Sequence, residues 1–300
     1  MTIASMRELL SQALRSGYAI GYYESWDQYS LEAAVEAAEA TASPAIIGFG
    51  GAVTNRAWLD GGGVEDMSCL ARRLAERARV PAAVLFNEAQ SLAQVECALG
   101  AGCNAVMLDS SGLCFEENVA LTRQVVAMAR AVGATAEGEL GHLPDALDAQ
   151  RQAVLTNPDE AARFVELTEV DVLAVSIGNV HLVQTGEVPV DLELLDRIHR
   201  AVPIPLAIHG GTGFPRAAVR DAISRGVAKF NVGTRLKRLY LAGIREAIPD
   251  PMQVPDIHPF VGSRDVEDVL LRGKERMKAE IVKLMKLYGS AGQAAFSTRG

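Results

Sequence analysis

The sequence predicts an α/β protein folded as a TIM (β/α)8 barrel, with an N-terminal helix and a long C-terminal helix. Three observations carry the prediction. Eight short apolar runs alternate with helical patterns along 300 residues. Most of these runs end in a carboxylate, an amide or a histidine. The length suits one barrel, which typically takes about 250 residues. Strand and helix in alternation imply βαβ units and a parallel sheet. Polar groups at the C-terminal ends of such strands are where a barrel enzyme keeps its active site.

Each element has its own justification. Residues 1–18 (MTIASMRELLSQALRSGY) read as an amphipathic helix rather than a signal peptide. The run 19–23 leads into Glu24, and residues 31–41 (LEAAVEAAEAT) repeat apolar residues near every 3.6 positions. The run 44–49 ends in Gly50-Gly51, and residues 61–63 read as a short glycine loop. The run 82–86 ends at Asn87-Glu88 and is followed by a helical stretch over 92–99. The run 105–108 ends at Asp109, before a helix over 116–132 rich in alanine and valine. The run 134–138 carries Glu137 and then Glu139. Asn157 caps a helix over 158–168 with Pro158 in its first position. The run 172–177 leads to Asn179 and His181, before a helix over 189–202. The run 204–208 ends at His209 in IHGGTG, and Pro215 opens a helix to 225. The run 227–230 ends at Asn231 in FNVGT. The last helix, over 266–287, carries a stripe of Val266, Leu270, Met277, Ile281 and Leu284, with Tyr288 just beyond. No linker or composition shift divides the chain, so residues 1–300 read as a single barrel domain.

Composition excludes some partners. A net charge of -8 leaves no electrostatic footprint for nucleic acid and argues against an anionic membrane surface. No apolar run approaches the roughly 18 residues that span a bilayer. Cys69, Cys97, Cys103 and Cys114 have spacings of neither a zinc knuckle nor a disulfide framework. They read as buried or half-buried thiols in a protein of the reducing cytoplasm.

Two groups of residues point to chemistry. His181 and His209 follow the sixth and seventh runs and face one cavity, whereas His142, His199 and His258 read as surface residues. Glu88 adds a carboxylate, and two imidazoles with one carboxylate form a recognised zinc set. Asp109, Glu137 and Glu139 stand on neighbouring strand ends, where they either bind a second cation or orient the first ligands. The second group is two glycine-bearing turns, Gly210-Gly211-Thr212-Gly213 and Asn231-Val232-Gly233-Thr234. Both follow the last two strands, where barrels often bind phosphate on backbone amides and a helix N-terminus. On that reading Gly211→Asp blocks the anion and leaves the fold intact. Lys229 is a buried lysine, a salt-bridge partner or a Schiff-base nucleophile.

With these residues in view, the chain resembles the class II, metal-dependent ketose-bisphosphate aldolases. The resemblance runs in order through GYAIGYY, EAAEATASPAII, NAVMLDSSGLCFEENVALTRQVV, AEGELG, TNPDEAARFVELTEVDVLAVSIGNVH, PIPLAIHGGTGFP and VAKFNVGTRLK. It implies a TIM barrel, a homodimer or homotetramer, and carbon–carbon cleavage of a phosphorylated or acidic sugar. It implies a divalent metal, zinc before manganese or cobalt, on His181 and His209, with Asp109 and Glu139 at an alternative metal position. It implies substrate phosphate at Gly210, Gly211, Thr212, Gly213, Asn231 and Thr234, with Gly233 between them.

The departures alter that expectation. Asn87 replaces the catalytic aspartate of the family, and Glu88 replaces the next residue, a histidine ligand. Glu88 either keeps the metal or takes over proton transfer. YYESWDQ stands for the family's FNVNN, bringing Glu24 and Trp26, and Leu182 stands for a glycine. The Gly-Gly loop expected after ELG is replaced by a segment with His142, Pro144, Asp145 and Asp148. The acid/base then falls to Glu24, Glu137 or Asp145. Fructose 1,6-bisphosphate is expected to be a poor substrate. The alternatives are an isomerase, epimerase or hydrolase on the same scaffold, or a non-catalytic sugar-phosphate-binding relative.

Overall fold

The structure is a computed structural model and describes residues 3–147 and 153–294; residues 148–152, Asp148 among them, lie outside the described residues. Eight strands close a parallel barrel in sequence order: β1 Ile20–Ser25, β2 Ala45–Gly50, β3 Ala82–Ala89, β4 Ala105–Leu108, β5 Thr135–Leu140, β6 Val172–Val175, β7 Leu206–Ile208 and β8 Val227–Val232. The ring closes through β1 and β8, where Ile20 faces Lys229 and Tyr22 faces Asn231. The TIM barrel read from the alternating runs is what the chain forms.

The helices follow from caps and apolar stripes. α1, Met6–Ser16, starts at the Ser5 cap and ends at Gly17 in the left-handed region, with φ 69°. It buries Met6, Leu9, Leu10 and Ala13 against the inward residues of the lower barrel, among them Ile46, Ala83, Leu85 and Ala207. α1 thus plugs the N-terminal end, leaving the C-terminal end for chemistry. α2, Gln28–Thr41, starts in a capping box of Asp27 with Ser30. A short helix α3, Arg56–Trp58, leads through a wide turn over Leu59–Gly63 into α4, Val64–Arg77. The glycines 61–63 are therefore part of a helical connection rather than a plain loop; Gly62, at φ 117°, supplies the kink.

Beyond β3 come α5, Leu92–Ala101, α6, Phe115–Ala131, and α7, Pro158–Thr168, with Asn157 at its cap as expected. Three later boundaries differ from expectation, and in two of them a side-chain cap, Asp191 or Asp268, sets the start. α8 spans Leu192–Ala201 and begins at the Asp191 cap. Pro215 is extended; after it come a single 3-10 turn, Arg216–Ala218, and the short α9, Val219–Ile223. α10 spans Thr234–Ala247. α11, Val269–Tyr288, begins at Asp268, so Val266 is exposed and outside the helix. The buried face of α11 is Val269, Met277, Ile281, Leu284, Met285 and Tyr288, and Tyr288 stacks on Phe230 of β8 at 4.7 Å. Of the four cysteines only Cys103 is buried; Cys69, Cys97 and Cys114 sit on outer surfaces, contrary to the reading as shielded thiols. No helix among the described residues is long and apolar enough to cross a membrane.

Candidate active site

A cavity of about 450 Å³ opens at the C-terminal ends of the strands. Glu24 enters from β1, Asn87 and Glu88 from β3, Asp109 from just after β4, and Glu139 from β5. His181 and Leu182 enter after β6, Gly210 and Thr212 after β7, and Asn231, Gly233 and Thr234 at and after the end of β8.

Glu88 reaches the cavity through a local irregularity. The β3–β4 register shifts between Phe86 and Ala89, and Glu88 has φ 55° in the left-handed region. Such a bulge re-aims a side chain at the rim of a barrel. The Oε1 of Glu88 lies 3.2 Å from Nδ1 of His209. The other ring nitrogen, Nε2, lies 2.8 Å from Oε1 of Glu137. Nζ of Lys229 donates to the same Glu137 oxygen at 2.9 Å and to Oδ1 of Asn231 at 2.6 Å. Asn231 Nδ2 in turn donates to Oδ1 of Asn87 at 3.4 Å. Asn87 and Glu88 are chain neighbours, so these groups form a closed ring, with Asn87, Glu88 and Asn231 on the cavity floor and His209, Glu137 and Lys229 beneath it. Of the three readings open for Lys229, the structure selects the buried ion pair: both Lys229 and Glu137 are at most 1% exposed.

The protonation states reflect this packing. Burial pushes the Glu88 carboxyl up, but the bond from His209, the nearby His181 and Lys229 outweigh it and bring the pKa to about 2. Burial depresses His209, yet its bonds to Glu137 and Glu88 raise it to about 10. Burial lowers His181, with Glu88 opposing and His209 reinforcing. Glu139 rises to about 8 through burial, against the pull of His209 and with the nearby carboxylates Asp109, Glu88 and Glu137 adding to the rise.

Glu88, His181 and His209 are the group of potential metal ligands found among the described residues; their donor atoms all lie within 4.8 Å of one another. The rings of His181 and His209 stand 5.9 Å apart and nearly perpendicular. One carboxylate and two imidazoles, with a buried glutamate on the far nitrogen of one imidazole, match the chemistry of a divalent cation site. Asp109 accepts from the backbone amide and hydroxyl of Ser111, at 3.2 and 2.9 Å.

The loop after β5 is stitched to the loop after β6. His181 N donates to Pro144 O at 2.9 Å, and Ala146 N donates to His181 O at 3.0 Å. This ladder sets Asp145 on the cavity wall beside His181. His142 also lines the cavity, with Nδ1 3.3 Å from Ser111 Oγ. The sequence alone placed it on the surface, because no periodic signal marks a residue in an irregular loop.

The glycine turns divide in two. Gly210, Thr212, Asn231, Gly233 and Thr234 line the cavity, whereas Gly211 and Gly213 do not. Gly211 N donates to Asn231 O at 2.9 Å, and Gly213 N to Gly210 O at 3.1 Å, so both amides are already engaged. A Cβ on Gly211 would lie 2.6 Å from Asn231 O. Gly211→Asp is therefore a folding lesion and not the clean block of an anion that the sequence suggested. Gly233 precedes α10 directly, and Glu24 packs against it: a Cβ there would lie 1.9 Å from Oε2 of Glu24. The other oxygen, Oε1, takes a 2.7 Å bond from Lys237 Nζ.

The family model for fructose-bisphosphate aldolase class-II matches residues 4–293. The chain belongs to the class II fructose-bisphosphate aldolase family. It is 33% identical over 296 residues to the Escherichia coli (strain K12) protein YdjI, with 97% of this chain and 99% of that one covered. The crystal structure of the YdjI aldolase matches with a TM-score of 0.81 at 31% identity, covering 98% of this chain and 100% of that one. The fructose-bisphosphate aldolase of Geobacillus stearothermophilus is 32% identical over 299 residues, covering 98% and 100% of the two chains. The sulfofructosephosphate aldolase of Alkalicoccus urumqiensis is 30% identical over 298 residues, covering 98% and 99%. These relatives support an aldolase-type lyase, in a family that is typically metal-dependent.

Proposed function

We propose that the protein is a metal-dependent carbon–carbon lyase that cleaves a ketose phosphate or a related polar aldol. One divalent cation, zinc or in its place manganese or cobalt, is held by Glu88, His181 and His209. The observation that carries the reading is the convergence of these three side chains on a cavity bounded by the glycine turns after β7 and β8. When bound, the cation supplies Lewis acidity to the ketone and enediolate oxygens of the substrate. The C3–C4 bond breaks and its electron pair stays on C3. The C4 hydroxyl loses its proton and becomes an aldehyde, and C3 takes up a proton to leave a ketone. Asp145 accepts the hydroxyl proton. It is on the cavity wall, whereas Glu137 lies beneath His209 and Glu24 is engaged by Lys237. Glu139 and Asp109 orient the metal ligands, and Gly210, Thr212, Asn231, Gly233 and Thr234 receive the phosphate. A cytoplasmic setting goes with the exposed free thiols. A homodimer or homotetramer goes with the exposed Leu241, Ile248 and Met252.

Elemental analysis of the purified protein is expected to find the divalent ion, and His209→Ala is expected to lose it together with any cleavage. Full metal content in that variant overturns the assignment. Fructose 1,6-bisphosphate is expected to be cleaved poorly. The Asn87 amide exchanges no proton near neutral pH, and general acid–base assistance contributes about 10²–10⁴-fold. A coupled assay with zinc, manganese and cobalt each supplied is the check, and turnover near the enzyme median of about 10 s⁻¹ would refute it. In Asn87→Asp, a rise in cleavage marks the loss as chemical; no rise marks a cavity rebuilt for another substrate.

A further inference from the structure

The charge of the cavity is one-sided. Five acidic side chains line it, from Glu24, Glu88, Asp109, Glu139 and Asp145, with the pKa of Glu139 raised to about 8 and so that carboxyl mostly uncharged at neutral pH. No lysine or arginine lines it among the described residues. Two ammonium groups bonded to residues around the cavity are already paired: Lys237 with Glu24 at 2.7 Å, and Lys229, buried, with Glu137. The sector after β7 and β8, with Gly210, Thr212, Gly233 and Thr234, offers neutral donors beside the start of α10; elsewhere the lining adds the uncharged side chains of Tyr22, Asn87, Gln90, Ser111 and Asn231. Glu24 marks the border of that sector. Its Oε2 packs against Gly233, and its Oε1 would touch a Cβ on Gly50 at 3.4 Å, so the carboxylate fills the gap between the ends of β8 and β2. A ketose bisphosphate brings two anionic groups. One meets the donor sector; the other meets a wall of acidic and uncharged side chains with no lysine or arginine to pair with it, and a bound divalent cation offsets only part of that field.

Resting on the lyase reading above, we propose that the substrate is a ketose with a single anionic group, whose aldehyde-forming half is an uncharged polyhydroxy chain, and that Glu24 is the specificity-determining residue that keeps out a second anion. Carboxylates along the wall accept hydrogen bonds from the hydroxyls of that chain, which a second phosphate cannot supply.

The test uses the zinc-loaded protein and two sets of probes: the 1-phosphates of fructose, tagatose and sorbose, and the matching 1,6-bisphosphates. Thermal shifts and retro-aldol release of aldehyde are measured for each. The expected result is a clear shift with at least one monophosphate and affinity about tenfold or more weaker for its bisphosphate, the scale of one partly screened charge. Glu24→Gln, which keeps the shape and removes the charge, is expected to narrow that gap. Val53→Lys, at an exposed cavity-lining position outside the proposed machinery, is expected to narrow it too by placing a cation on the wall. Equal binding of the two classes by the unaltered protein overturns the proposal, as does an unmoved gap in Glu24→Gln or no shift with any monophosphate. Binding of a monophosphate without aldehyde release sinks the lyase reading and leaves the charge limit standing.

Discussion

Lys229 and Glu137 show how much of this site is held from below. Neither lines the cavity, yet Glu137 fixes Nε2 of His209 and Lys229 neutralises Glu137. Burial lowers Lys229 and raises Glu137, while each charge favours the other and His209 also favours the Glu137 carboxylate. Lys229→Met is expected to destabilise the protein by about 3 kcal/mol, because it leaves a buried carboxylate with His209 as its remaining partner. Equilibrium denaturation measures this. Glu137→Gln is expected to leave a folded protein whose metal affinity falls about 10–100-fold, the usual effect of removing the partner of a ligating histidine. Competition with a chelator is the readout, and unchanged affinity would show that Glu137 does not position His209. Both residues are visible in the sequence, but their pairing is not. Glu137 and Lys229 lie 92 positions apart, and only the closed barrel brings β5 and β8 across from each other.

At the scale of elements, α11 is tied to α2 by charge as well as by its apolar face. Lys274 bonds to Glu32 and Glu36, and Lys278 to Glu36 at 2.9 Å. Burial raises both glutamates, but the bonds from Arg264 and Lys274 to Glu32, and from the two lysines to Glu36, outweigh it and lower them. A carboxyl lowered on folding stabilises fully above its unfolded pKa, and that contribution is lost as pH falls through the folded value. Lys274→Met is therefore expected to cost about 1 kcal/mol near neutral pH, allowing for the partial exposure of Glu36. The deficit is expected to shrink below pH ~4, as both glutamates protonate. Denaturation curves across that range decide the matter; a deficit independent of pH would assign the loss to packing. The apolar stripe of α11 was readable in advance, its start was not. Periodicity extends through Val266, but the backbone amides need the cap that Asp268 supplies.

For the whole molecule, the barrel was the legible part and the loops were not. Period and length reveal strands such as β2 and β8, buried along their full length. No comparable rule locates His142 or Asp145, whose positions depend on one loop pairing with another. Glu88 was visible as a replacement for a histidine, yet its left-handed backbone, which turns it toward His209, has no mark in the sequence.

The two stitched loops also carry a stored cost. Leu182 follows His181 with φ 53°, a conformation that disfavours a leucine by roughly 1–2 kcal/mol. Glycine relieves that strain and adds back some entropy cost of its own. Leu182→Gly is thus expected to raise stability by about 1 kcal/mol or less, read as a higher denaturation midpoint. The same change slackens the ladder that sets Asp145 against His181, so turnover is expected to fall while the fold hardens. If both rise together, the leucine is merely tolerated. If they diverge, the chain holds tension next to its chemistry as a spring holds a latch: a wild-type protein that is less durable than a one-residue neighbour because its working parts must stay aligned.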